Sequence, residues 1–204
     1  MTNVPKAMAV PGFRRWMVFL LGGLTLVVFG AGGVALITLV QQRDLGHVLF
    51  GKGDLLVQAC LGGGVGLAIG FGARAIIRRP FMRDLDAQFA ERLGPRVGRV
   101  SDRLFLSVCA GVGEELFFRG ALQHWLGMFI TAVFFVAIHG YLDPRDRRMM
   151  IYGLYMTASM VVLGWLADQY GLLAPMLAHT LIDIVLFGQV VSTYRRILAE
   201  KAQD

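Results

Sequence analysis

Gly111-Val-Gly-Glu-Glu-Leu-Phe-Phe-Arg-Gly120 sets two adjacent carboxylates and an arginine inside one of the most apolar neighbourhoods of the chain. Leu104-Phe-Leu-Ser-Val-Cys-Ala110 precedes it, and Phe129 to Ile138 carries no charge. Glu114, Glu115 and Arg119 are therefore expected within hydrocarbon-spanning helices. A charge at the centre of a membrane helix costs roughly 2.5–3.5 kcal/mol on insertion scales, so such residues tend to be paired and functional. Glu115 and Arg119 stand one turn apart with the acid first, the order that favours an ion pair. Glu114 points about 100° away from Glu115 around the helix and has no local partner, so its partner has to come from elsewhere in the chain.

The composition agrees with a membrane setting. Of 204 residues 56% are hydrophobic and only 17% charged, with 26 glycines, whereas soluble domains carry roughly 25% charged residues. The expected fold is all-α: a polytopic membrane helical bundle of about six transmembrane helices plus a cytoplasmic amphipathic connector. Residues 1–204 form a single bundle domain, with no room for a soluble domain of ordinary size beside it. The net charge of +6 does not indicate nucleic acid, because the basic residues flank apolar runs and form no stripe among aromatics. Cys60 and Cys109 fall within apolar runs without C-x-x-C spacing and read as buried reduced thiols.

The apolar runs divide the chain. Trp16 to Val40 is free of formal charge and long enough to span the bilayer's roughly 30 Å core. It is too long for a signal peptide and reads as a retained anchor. Gln41 to Asp54 reads as a polar loop, with His47 solvated. Leu55 to Ile77 is the second span, and Gly62-Gly-Gly64, Gly66, Gly70 and Gly72 supply a small-residue ridge for close helix packing. No G-K-[ST] follows, so this is no phosphate loop. Residues 78–103 form the connector. Phe81, Met82, Leu85, Phe89 and Leu93 recur there at largely helical spacing, as in an amphipathic helix on an anionic membrane face or a solvated link, with substrate steering a lesser reading. Leu104 to about Phe118 is the third span, and Arg119 to Gly127 reads as an interfacial turn or short helix with His124 and Trp125 at headgroup level. Met128 to Leu142 is a short fourth span, Asp143-Pro144 a turn and Met149 to Ala167 the fifth. Gly171 to Val191 is the sixth, with Pro175 expected to kink it.

Two further polar clusters lie in these spans. Phe135-Val-Ala-Ile-His139 closes the fourth, and His179-Thr-Leu-Ile-Asp183 lies inside the sixth with its acid and imidazole one turn apart. The ordered set E-E-x-x-x-R, F-x-x-x-H and H-x-x-x-D on three successive apolar helices resembles the CAAX protease and bacteriocin-processing family of intramembrane endopeptidases. The motif ends in Asp183, where the family often has Asn. The resemblance implies that Glu114, His139 and His179 are catalytic and that Glu115 and Arg119 support them. It also implies either a glutamate-type protease or a zinc enzyme.

The residues themselves allow both chemistries. Peptide hydrolysis needs an activated water, a donor set for the oxyanion and a proton for the leaving amine. Glu114 and His139 suit the first task; His179 and Asp183 suit the others, an ionised Asp183 orienting His179 instead of donating. Glu115 and Arg119 form a buried structural pair, and Phe135 completes the supporting set. Residues 104–191 would hold this catalytic core. Glu114, His139, His179 and Asp183 are also a credible N/O set for zinc, which commonly takes three such ligands and leaves a position for water. Against zinc, no H-E-x-x-H is present, and Glu114 as a ligand is lost as a base. The glutamate-type reading, with no cofactor, is preferred. A transporter is disfavoured because no internal repeat is visible, and a non-catalytic membrane immunity protein or scaffold is the remaining alternative.

The expected partners are the lipid bilayer and a membrane-anchored peptide or protein substrate. Nothing selects among prenyl-protein, bacteriocin and sorting-anchor substrates, or favours one oligomeric state. With both termini cytoplasmic, 17 of the 20 basic residues fall on the inner side, as the positive-inside rule requires. The expected location is the bacterial inner membrane.

Overall fold

The computed structural model describes residues 15–51 and 53–203. The basic entry with Lys6 and Arg14, and the loop residue Lys52, lie outside the described residues. Among the described residues eight helices follow one another: α1 (Trp16–Val40), α2 (Leu45–Phe50), α3 (Leu55–Ile77), α4 (Arg83–Leu93), α5 (Val100–Glu115), α6 (Gln123–Ile138), α7 (Arg147–Tyr170) and α8 (Leu173–Lys201). A π-helical stretch, Leu116–Leu122, carries α5 into α6 without a break. No strand occurs among the described residues. The chain is an integral membrane protein, with five segments long and apolar enough to cross a bilayer: α1, α3, the continuous Val100–Ile138, α7 and α8.

The third segment holds two of the six expected passes. Gly127, at φ 71° and ψ 165°, breaks the helical path inside α6, a conformation open to glycine because it has no Cβ. Phe118 and Phe135 are seventeen positions apart, about 25 Å along a straight helix, yet their ring centroids lie 4.9 Å apart. Residues 128–138 therefore run back along 100–126 as a hairpin. The return arm rises only about 16 Å, half the hydrocarbon core, so it ends at mid-depth.

Some boundaries differ from the sequence reading. The third pass does not stop at Phe118. It continues to Leu126, and Arg119 is 4% exposed inside the bundle, because Glu115 pairs with it there. The loop from Gln41 to Asp54 contains α2, capped by the Asp44 carboxylate accepting from the His47 N–H. Pro175 makes no kink. It lies in the first turn of α8, where a missing N–H removes no helical bond. The connector's helix, α4, docks into the bundle with Leu85, Asp86 and Ala90 buried.

Packing around α8 positions the site. Gly62, Gly66 and Gly70 are the buried face of the expected ridge, and Gly63 and Gly64 face open space. A Cβ on Gly66 would lie 2.5 Å from the Ala178 carbonyl oxygen and 2.6 Å from its Cα, one residue before His179. Gly66→Ala is expected to push α3 off α8, costing about 1–3 kcal/mol. Thermal melting in detergent reads this, and unchanged melting contradicts the close approach.

Three ion pairs tie one end of the bundle: Arg15 to Asp102 at 3.1 Å, Arg148 to Asp84 at 2.6 Å and Lys201 to Glu91 at 3.1 Å. The opposite end is tied by Gln41 and Arg43, which donate to the Ala121 and Gly120 carbonyls, and by Gln123, which donates to Asp168. The basic segments assigned to the inner side, as far as they are described, thus gather at one end.

Candidate active site

The hairpin brings the motif residues to one level. Glu114 lies thirteen residues before Gly127 and His139 twelve after it, so the antiparallel arms set them opposite each other. Glu114 Oε2 is 3.7 Å from His139 Nε2 and 4.0 Å from His179 Nε2. His179 Nε2 is 3.9 Å from Asp183 Oδ1 across one turn of α8. All four predicted site residues line one cavity of about 300 Å³. Glu114 Oε2 is buried and has no hydrogen-bond partner. Its distances to the two imidazoles exceed a direct hydrogen bond.

The hydrogen bonds determine which imidazole nitrogens face Glu114. His139 Nδ1 lies 2.7 Å from the Phe135 carbonyl oxygen, and a carbonyl only accepts, so Nδ1 carries the proton. Its Nε2 faces Glu114. The F-x-x-x-H spacing has further uses, since the Phe135 ring packs against the His139 ring at 4.4 Å and lies 4.6 Å beneath the Arg119 guanidinium. His179 Nδ1 donates to Glu115 Oε1 at 2.8 Å, which turns its Nε2 toward Glu114 and Asp183. The bond that orients His179 thus comes from Glu115, whereas the sequence reading looked to Asp183.

Glu115 links the support to the site. It is fully buried, and the same Oε1 accepts from Arg119 at 3.0 Å. The other arm of Arg119 donates to the Met160 sulfur at 2.9 Å. Through this one oxygen and the Arg119 fork, α5, α7 and α8 are joined at this point.

Tyr141 is a pocket residue that the sequence reading passed over. It follows the Gly140 turn, where φ is 77°, and its ring stacks on His139 at 6.0 Å. Its phenol is an O–H donor at neutral pH. A tyrosine two residues after the motif histidine, beside a glycine, was the available signal. His124, by contrast, packs against Trp125 and is not among the cavity's lining residues.

Ligands tetrahedral about zinc at about 2.0–2.1 Å stand roughly 3.3–3.4 Å apart, closer than the gaps of 3.7 to 4.0 Å here. Among the described residues no group of three His, Cys, Asp or Glu side chains converges as a metal site.

Fold and site together define a membrane helical bundle with a buried carboxylate and imidazole centre. Residues 97–185 match the model of the type II CAAX prenyl endopeptidase Rce1-like family. That stretch contains all seven motif residues from Glu114 to Asp183 and bears out the resemblance they carry. A curated relative, the uncharacterized protein YpbD of Bacillus subtilis (strain 168), is 34% identical over 89 residues, 43% of this chain and 44% of its own. The chain thus spans less than half of that relative. No solved structure matches.

Proposed function

We propose that the chain is an intramembrane endopeptidase hydrolysing a peptide bond of a membrane-associated protein or peptide, with both chain termini in the cytoplasm of a bacterial cell. The observation that carries this reading is the buried, unpartnered Glu114 Oε2 facing two imidazole Nε2 atoms at 3.7 and 4.0 Å. In a water-poor cavity a carboxylate so placed is a general base. Glu114 and His139 hold a water between them, and Glu114 takes its proton as the oxygen attacks the scissile carbonyl. His179, protonated on both nitrogens with its Nδ1–H fixed on Glu115, donates Nε2–H to the developing oxyanion with Asp183 beside it, and Glu114 gives the proton taken from water to the leaving amine as the C–N bond breaks. Preorganised donors of this kind stabilise a tetrahedral intermediate without reorganising. The family match over residues 97–185 supports peptide hydrolysis, and the buried Glu114 Oε2 without a hydrogen-bond partner supports Glu114 as the base.

The test is cleavage of membrane-anchored peptides by purified protein in liposomes, read by mass spectrometry. Wild type should generate new termini that His139→Ala and His179→Ala fail to produce. The same termini at the same rate from both variants would remove the two imidazoles from the mechanism.

A further inference from the structure

The cavity does not end at the proposed catalytic groups. It extends toward the ion-paired end of the bundle, where α4 supplies Asp86, Phe89 and Leu93 to its wall. Phe89 projects from α4 into an aromatic cluster, with its ring 6.0 Å from Tyr141 and 5.9 Å from Tyr152. Tyr141 in turn stacks on His139. A single row of rings therefore connects α4 to the proposed catalytic imidazole.

This wall is held in place at three points. The buried Asp86 carboxylate accepts from Thr193 Oγ at 2.8 Å and from Gln189 Nε2 at 3.2 Å, tying α4 to α8. On either side Asp84 pairs with Arg148 and Glu91 with Lys201. Packed walls respond to a change of even one methylene, and a pocket so anchored discriminates by size.

We propose that α4 forms one wall of the substrate pocket and that Phe89 is a specificity-determining residue, setting the size of a subsite for an apolar substrate side chain next to the scissile bond. The inference rests on the endopeptidase reading and adds the substrate class to it. The occupant is an apolar side chain because Ile77, Leu93, Met156 and Leu186 line the same cavity as Phe89 and the catalytic groups.

The experiment uses full-length wild type, Phe89→Ala and Phe89→Trp in nanodiscs with peptides carrying Ala, Leu, Phe or naphthylalanine at each position flanking the cut. At one position Phe89→Ala should shift preference at least about tenfold toward naphthylalanine, and Phe89→Trp should shift it toward Ala, in line with the 10–200-fold cost of a misfitting methylene. Unchanged side-chain preference at every position in both variants overturns the proposal, whatever happens to total turnover. Binding is read separately from cleavage, as thermal stabilisation of the same three proteins in a Glu114→Gln background by N-acetyl-leucinamide and N-acetyl-naphthylalaninamide. If the order of the two probes swaps while wild type cuts no peptide, the wall stands and the endopeptidase reading falls. If wild type cuts peptides and neither the preference nor the order swaps, the wall falls and the endopeptidase reading stands.

Discussion

Glu114→Gln protein should lose peptide cleavage by a factor of about 10²–10⁴, the range that general-base catalysis supplies, while melting at or above the wild-type temperature. The two effects have one cause. Glu114 Oε2 is buried without a hydrogen-bond partner, and its nearest cationic candidates are imidazoles 3.7 and 4.0 Å away. A carboxylate oxygen buried without a hydrogen bond costs stability, and an amide of the same shape relieves that cost while removing the base. Function and stability oppose each other at catalytic groups in this way. A variant that melts well below wild type would show that Glu114 serves the fold, and a variant with full turnover would remove it from the chemistry.

Arg119→Ala should cost about 3–5 kcal/mol of stability, the usual penalty for stranding one partner of a buried ion pair, and most of the activity with it. Glu115 is fully buried and would keep only its bond from His179. Loss of the guanidinium also frees the Met160 sulfur and uncovers the Phe135 ring, so the support of both histidines loosens together. Arg119→Lys should recover little, since one ammonium cannot reproduce the planar fork that reaches Glu115 and Met160 at once. Thermal denaturation alongside peptide cleavage measures both effects. Wild-type melting with full turnover in Arg119→Ala would mean that the pair is not part of the support.

The long passes were legible where charge is absent. Trp16–Val40 and Leu55–Ile77 emerge with their expected limits because each is an uninterrupted or nearly uninterrupted apolar run. The third pass was cut short because Arg119 reads as a water-seeking charge when its distant partners, Met160 and the Phe135 ring, are not in view. Pro175 misled for a related reason, since its effect depends on the helix starting at Leu173, a boundary set by the turn at Gly171.

In the site, the local pairings were legible and the tertiary ones were not. Glu115 with Arg119, and His179 with Asp183, follow from one-turn spacing. The bond from His179 to Glu115 joins α5 to α8 over 64 positions, and no local pattern announces it. The periodicity of Leu85, Phe89 and Leu93 was visible, but a periodic face does not say whether lipid or protein covers it. Burial of Leu85 and Asp86 answers that question for α4.

The most direct test of Glu114 as a base measures metal content and activity in the same sample. Protein purified after exhaustive chelation is predicted to contain no stoichiometric metal and to retain its cleavage rate, because the proton leaves water for a carboxylate. Inhibition by a chelator alone would not decide the matter, since a coordinating compound can occupy the pocket without removing an ion. Stoichiometric zinc, lost in His139→Ala and His179→Ala, whose removal stops cleavage and whose return restores it, would contradict the account and make Glu114 a ligand.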